Sequence, residues 1–178
     1  MTRTFLLIVI TALFAISASA QKITTDFDPA ADFSQFHTYT WGEGRPAKIP
    51  QIDERLVAGI ESQLAAKGLR KAAPSESADL IVAYQTATAM TSEMNTYTTG
   101  AWRGEYGTWP TSKGAPHTQV DIIQKGQLIV DLADKKTKKF VWRGIASGTV
   151  SDNVEKVNKI IDKALTKMFK DYPPKANR

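Results

Sequence analysis

The stretch from residue 118 to residue 150 constrains the fold of this chain more than any other. Apolar and polar residues alternate on both sides of Gly126, as they do along strands with one buried face. We predict a three-residue hairpin loop at 124–126, because glycine then occupies the left-handed position that such a loop requires. A two-residue turn at 125–126 is less favourable, since it sets an apolar residue opposite an acidic one. A second turn at 134–138 completes a three-stranded antiparallel meander.

The predicted meander has one apolar face and one mixed face. On the mixed face, Asp131 and Arg143 are expected to pair across neighbouring strands. Trp142 is expected in the core, because a large aromatic side chain carries much apolar area to bury. The pairs predicted on the apolar face are Ile122 with Leu128, Val120 with Val130, Leu132 with Phe140, and Val130 with Trp142.

Two amphipathic helices are predicted outside the meander. The first spans about 51–67, where apolar residues recur every fourth position, and it ends at Gly68. Gly59 within this helix costs up to about 1 kcal/mol against alanine, which indicates that close packing requires it. The second helix spans about 152–170 and carries one apolar stripe with lysines on another side. Both stripes need a sheet to cover them.

Further strands are predicted at 22–28, 37–41 and 79–90. Together the elements predict an α+β fold, a two-layer sandwich in which a mostly antiparallel sheet has two helices packed on one face. A doubly wound parallel fold would need more alternation of strands and helices than the sequence contains. Residues 91–117 show no periodic pattern and are predicted to form a long loop rich in glycine and tryptophan.

The first 20 residues have the features of a secretory signal peptide. Arg3 is followed by an apolar run at 5–16 and then by Ala18-Ser19-Ala20, with cleavage expected after Ala20. The mature chain is then a single domain at 21–178 with no stable membrane anchor. The sequence has no cysteine, which leaves neither a disulfide nor a lipid-attachment site. We therefore expect a periplasmic or secreted protein.

The charge balance is basic, with 23 Lys and Arg against 18 Asp and Glu. Lysines are concentrated in the second helix and at 135–139. We interpret them as solvated surface with a weak attraction to anionic polymers of the cell envelope. Nucleic acid is not expected as a partner of an exported protein.

Residues that could carry chemistry are few and poorly spaced for it. His37 and His117 are the two histidines, and neither forms a spacing that is typical of zinc sites. Asp26, Asp28 and Asp32 follow a D-x-D-x-x-x-D pattern, but the glycine of a calcium loop is missing, and turn and cap roles are expected instead. The sequence predicts no metal site, no cofactor and no catalytic residue.

Three segments together resemble a known family. They are FDPAADFSQFHTYTW at 27–41, DERLVAGIESQLAAKGLR at 53–70 and QLIVDLADKKTKKFVWRGIASG at 127–148. They resemble the DUF4136 family, bacterial envelope proteins of unknown function, many of which are lipoproteins. The resemblance implies an exported α+β domain and supplies no catalytic residue. This chain departs from the lipoprotein members in having no cysteine after its signal segment.

The long loop at 91–117 holds the candidate ligand-binding residues Trp102, Arg103, Tyr106 and Trp109. Flat aromatic faces beside a charge can stack on sugars or grip a peptide, so an envelope protein or glycan is the expected partner. We favour a non-enzymatic binding or scaffolding protein. Three alternatives stay open. The aromatic residues fold back over the sheet, or the loop covers a hydrolase-like site, or the chain is a structural subunit that pairs through a sheet edge.

Overall fold

The structure is a computed structural model that describes residues 21–98, 103–104, 107–108 and 116–174. Its helices are α1 (Pro50–Ala66) and α2 (Val154–Met168). Its strands are β1 (Lys22–Phe27), β2 (Thr38–Trp41), β3 (Arg70–Lys71), β4 (Leu80–Thr98), β5 (Arg103–Gly104), β6 (Gly107–Thr108), β7 (Pro116–Asp134) and β8 (Phe140–Thr149). Six strands form one sheet in the order β1-β8-β7-β4-β2-β3, while β5 and β6 pair with each other.

The sheet is mostly antiparallel. The exceptions are β2 with β3 and β2 with β4, which run parallel. They are parallel because α1 lies between β2 and these strands in the sequence, and a crossover helix returns the chain in the same direction. The predicted α+β architecture is confirmed by this arrangement of six strands and two helices.

Local sequence signals determine where α1 begins and ends. Pro50 occupies the first turn, where its missing N–H leaves no hydrogen bond unmade. Gly68 follows the helix with φ +85°, and the N–H of Leu69 donates to the carbonyl of Leu64 over 3.0 Å. This is the left-handed stop that the sequence indicates. The helix buries Leu56, Ile60 and Leu64.

The second helix begins at Val154, two residues later than predicted. Asn153 caps it by accepting a hydrogen bond from the N–H of Lys156 over 2.9 Å. Both helices lie on the same side of the sheet. On that side, the Tyr84 hydroxyl of β4 donates to Asp53 of α1, and Met168 of α2 packs directly over Gly144 of β8.

The core lies between this helix layer and the sheet. Trp142 is 3% exposed, as expected, and stacks at 4.9 Å from the ring of Phe169 and 5.6 Å from Tyr172. Alternate residues of the central strands complete the core. These are Leu80, Val82, Tyr84, Leu128, Val130 and Leu132.

The predicted hairpin loop at 124–126 is wrong. The strand β7 runs without interruption through these residues for 19 positions, and Gly126 pairs with Thr88 on one side and Gly148 on the other. The prediction failed because β4 is equally long and pairs with β7 over its whole length. Ile122 and Val120 therefore face partners on β4 rather than Leu128 and Val130. A Cβ at position 126 would collide with the side chain of Val150, which explains the glycine without a turn.

The second predicted turn is correct in place but not in register. The N–H of Asp134 donates to the carbonyl of Lys139, and an irregularity between Leu132 and Ala133 shifts the pairing of β7 with β8. Leu132 therefore pairs with Trp142. The partners of Phe140 and Val130 change as well, to Ala133 and Gly144 respectively. This shift buries the tryptophan and leaves Phe140 59% exposed.

Candidate functional site

Two strands project beyond the rest of the sheet. The last contact of β8 with β7 side lies at Gln124, whose carbonyl accepts from the N–H of Val150, and the last contact on the other side lies at Thr86, whose N–H donates to the carbonyl of Arg45. Beyond these points the described strands pair only with each other. We call residues 90–98 with residues 116–124 the ribbon. At about 3.3 Å per residue, the ribbon is roughly 30 Å long.

One face of the ribbon carries an apolar stripe. Met94 lies opposite Val120, and Ile122 lies opposite Ser92, so all of them point to the same side. The exposed fractions are 76% for Met90, 72% for Met94, 56% for Val120 and 75% for Ile122. Four large apolar side chains in a contiguous exposed row mark a site of interaction more often than a random surface does.

This stripe continues the core side of the sheet. The register of β4 with β7 is unbroken from Leu80 to Thr98, so Met90 and Met94 leave their strand on the same side as the buried Tyr84. The helix layer covers that side near Tyr84, and no described residue covers it along the stripe. The stripe is therefore core-type surface without its cover.

The opposite face of the ribbon is polar. Glu93 lies opposite Asp121, an arrangement that would be repulsive without compensation. Lys125 supplies it, with its Nζ 3.2 Å from an Oε1 of Glu93, and the amide of Gln119 donates to Asp121 over 2.9 Å. This face is satisfied by its own contacts, which confines the unexplained surface to the apolar side.

The edges of the ribbon differ from the ordinary edges of the sheet. The edge strand β3 has two residues, both basic, and the edge strand β1 carries Lys22 and is followed by Pro29. Short length, lysine and proline are the devices that prevent unwanted pairing of edge strands. Residues 88–98 and 117–124 contain no lysine, arginine or proline. These long edges therefore keep their capacity to pair.

Most of the predicted ligand-binding residues lie beyond what can be described. Trp102, Tyr106 and Trp109 fall outside the described residues, and Arg103 opens the two-residue strand β5, where it pairs with Thr108. The predicted loop at 91–117 is shorter than expected, because β4 continues to Thr98 and β7 begins at Pro116. The stripe was missed, although its signal is present: methionine and β-branched residues alternate with polar ones on both sides of the glycine-rich segment.

The two histidines are not brought together. His37 is exposed, and its N–H donates to Asp79, which immediately precedes β4. His117 pairs with Tyr97 near the far end of the same strand. At about 3.3 Å per residue, their backbones are separated by roughly 60 Å. A site that uses both histidines as acid and base is therefore ruled out within one chain.

The aspartates of the D-x-D-x-x-x-D pattern serve the local backbone. Asp28 accepts from the N–H of Ala30 over 2.9 Å, and Asp32 accepts from the N–H of Ser34 over 3.0 Å. The Ser34 hydroxyl bonded to Asp32 lowers the pKa of that carboxyl. No group of three or more potential metal ligands occurs among the described residues. The expected turn and cap roles of Asp28 and Asp32 are confirmed.

Two further carboxylates are held by hydrogen bonds and are structural. Asp131 accepts two hydrogen bonds from Arg143, as predicted, and this bonding raises the pKa of Arg143. Asp79 accepts from the backbone N–H groups of His37 and Thr38 and from the Thr38 hydroxyl. These bonds, that of His37 first, lower the pKa of Asp79. Neither α1 nor α2, the helices of the described part of the chain, is long and apolar enough to cross a membrane.

Comparisons with known proteins agree with the resemblance in the sequence. The model of the family described as "Domain of unknown function (DUF4136)" matches residues 23–174. A crystal structure of a DUF4136 family protein from Bacteroides thetaiotaomicron is similar with a TM-score of 0.53 and 16% identity, covering 86% of this chain and 96% of that one. A PDZ domain protein from Parabacteroides distasonis is similar with a TM-score of 0.51 and 14% identity.

The match to the PDZ domain protein covers 87% of this chain but 36% of that protein. Its other parts therefore have no counterpart in the match. No curated protein matches the sequence. At such low identities the two structures establish a common fold and nothing about ligands.

Proposed function

This chain belongs to the DUF4136 family of domains of unknown function, and from that premise we propose that it is a non-enzymatic protein of the cell envelope that binds another envelope protein through its ribbon. The observation that carries the proposal is the exposed stripe of Met90, Met94, Val120 and Ile122. Burying side chains of this size contributes roughly 1.5–3 kcal/mol each. A partner that covers the stripe therefore gains most of what a specific contact needs.

The chemistry of the ribbon favours an extended protein segment as the partner. Beyond Thr86 and Gln124 the outer edges of both strands have no neighbouring strand among the described residues. A segment added to such an edge forms main-chain hydrogen bonds, and its alternate side chains are selected by the adjacent surface. The adjacent surface here is apolar, so we expect apolar residues at every second position of the bound segment. A glycan would use few of these features.

A pair of matched variants tests the proposal. The double variant Met94→Lys with Ile122→Lys places two charges on the stripe, whereas Thr91→Lys with Glu93→Lys places charges on the opposite face. All four positions except Ile123's neighbour Thr91 are ribbon side chains with large exposure, and Thr91 is exposed as well. We expect both variants to retain the native melting temperature, because none of these side chains belongs to the core.

The measurement is quantitative co-sedimentation of residues 21–178 with isolated envelope that has been stripped of peripheral proteins or treated with protease. The stripe variant should bind at least about tenfold more weakly, since two buried contacts become buried charges. The opposite-face variant should bind within a few-fold of the native protein. Equal binding of both variants would refute the role of the stripe, and binding that survives protease would assign the partner to glycan or lipid.

A second candidate function is self-pairing through the same edges. It is favoured by one observation, the lack of lysine, arginine and proline at 88–98 and 117–124, in contrast to β1 and β3. In that case the partner strand comes from a second copy, and the mass in solution depends on concentration. Sedimentation velocity over a wide concentration range distinguishes the two. A strict monomer at the highest concentration excludes self-pairing and leaves the heterologous partner.

A further inference from the structure

The exposed side of α2 carries a row of lysines. Lys156, Lys159, Lys163 and Lys167 follow one another at spacings of three and four residues, which places them on one face of the helix. All four are exposed, and Lys170 continues the row just beyond the helix end. We call the four helical residues the lysine stripe. It lies opposite the buried side of α2, so it points away from the core.

The fold itself does not use this stripe. None of its four lysines forms an ion pair with a described residue, whereas the nearby Asp162 is bonded to Arg55 of α1. Like charges at spacings of three and four residues repel one another and destabilise a helix. Their presence in a row is therefore explained by an anionic partner rather than by stability.

The start of the described chain lies against the same helix. The side-chain amide of Gln21 donates to the carbonyl of Ile160 over 3.0 Å. The predicted leader, with its apolar run at 5–16, joins the domain at this point. A chain extends at most about 3.6 Å per residue, so the four residues 17–20 hold the apolar run within roughly 18 Å of α2. A membrane that receives the leader is then adjacent to the helix.

We propose that the lysine stripe docks the domain on the surface of an anionic lipid membrane, with α2 parallel to that surface. The partner is the phosphate of lipid headgroups. Charge complementarity and the position of Gln21 both favour a membrane over a soluble polyanion. Each lysine held near an anionic membrane contributes roughly fivefold in affinity. Four of them give a total on the order of several hundredfold, which falls steeply with salt.

The test is vesicle co-sedimentation of residues 21–178 at low and at high salt. The vesicles contain phosphatidylcholine alone or phosphatidylcholine with phosphatidylglycerol. The stripe variant replaces Lys156, Lys159, Lys163 and Lys167 with glutamine. The control variant removes the same number of charges from the turn between β7 and β8, through Lys135, Lys136, Lys138 and Lys139 to glutamine. The two variants therefore have the same net charge.

We expect the native protein to bind the phosphatidylglycerol vesicles at low salt and not the neutral ones. The stripe variant should bind about a hundredfold more weakly, while the control variant stays within a few-fold of the native protein. An arginine variant at the four stripe positions should retain binding, which separates charge from folding. No binding by the native protein, equal losses in the two glutamine variants, or equally tight binding of soluble polyphosphate would each overturn the proposal.

Discussion

Asp131 of β7 and Arg143 of β8 face each other across the sheet, on the side away from the helices, and share two hydrogen bonds. The partners are unequally buried: the side chain of Asp131 is 4% exposed and that of Arg143 is 42% exposed. Removing the arginine leaves a buried carboxylate without its partner, whereas removing the aspartate leaves a cation that can turn into solvent.

This inequality gives the first prediction. Arg143→Ala should lower the free energy of unfolding by about 2–4 kcal/mol, below the figure for fully buried pairs because solvent still reaches the arginine. Asp131→Ala should lower it by about 1–2 kcal/mol. Urea unfolding at neutral pH measures both. If the two losses are equal, the burial of Asp131 is not what determines the energy of the pair.

Gly59 of α1 gives a prediction about the contact between the helices. A Cβ at this position would lie 2.6 Å from the Cδ1 of Leu165, which is 1% exposed in α2. Gly59→Val should therefore destabilise the fold by about 2–3 kcal/mol through overpacking. Ala65→Val, at an exposed position of the same helix, controls for helix propensity and should cost only about 0.5 kcal/mol.

The double variant of Gly59→Val with Leu165→Ala identifies the cause of that loss. Because the truncated leucine makes room for the valine, the two effects should be less than additive by at least about 1 kcal/mol. Chemical denaturation of the native protein and the three variants measures this coupling. Strict additivity would show that the glycine serves something other than contact with Leu165.

Asp79 gives a prediction about acid stability. Its carboxylate accepts hydrogen bonds from His37 and Thr38, and the pKa of Asp79 is lower in the folded protein than in an unfolded chain. At neutral pH both states are ionised and the stabilisation is complete. As the pH falls below about 4, the unfolded state takes up its proton first, so stability declines until the folded pKa is passed.

Asp79→Asn should therefore weaken the fold by about 1–2 kcal/mol at neutral pH, since a charged acceptor is replaced by a neutral one. The same variant should show a smaller further decline between pH 4 and lower values. Urea midpoints measured across that range check this, with the exposed Glu43→Gln as the matched control. A decline as steep as that of the native protein would show that other carboxylates determine acid stability.

The helices were predictable because their signals are local. The spacing of Leu56, Ile60 and Leu64 and the stop at Gly68 lie within one segment, and α1 begins and ends within one residue of the prediction. Whether a strand turns or continues is not local. At Gly126 it depends on β4, a strand that starts more than forty residues earlier and has the length to pair with all of β7.

The same reason explains what was found and missed in the candidate site. The pair of Asp131 and Arg143 was predictable because the spacing around the second turn is short. The stripe was not, because Met94 and Val120 are brought together only by the register of two long strands. A search of residues 91–117 for function therefore identified the aromatic segment between the strands and overlooked the strands themselves.

The continuity of β7 through Lys125 gives the last prediction. Proline at this position removes a backbone N–H and fixes φ, which a central strand does not tolerate. Lys125 pairs with both Ala89 of β4 and Thr149 of β8, so Lys125→Pro should lower the free energy of unfolding by about 3 kcal/mol. In a hairpin loop at 124–126 the same substitution would cost little, because proline is compatible with turns. Lys125→Gln is the control: it removes the ion pair with Glu93 but retains the N–H, and it should cost less than about 1 kcal/mol. Urea unfolding of the two variants separates the backbone effect from the charge effect, and equal stability of the proline and glutamine variants would return a turn to this position.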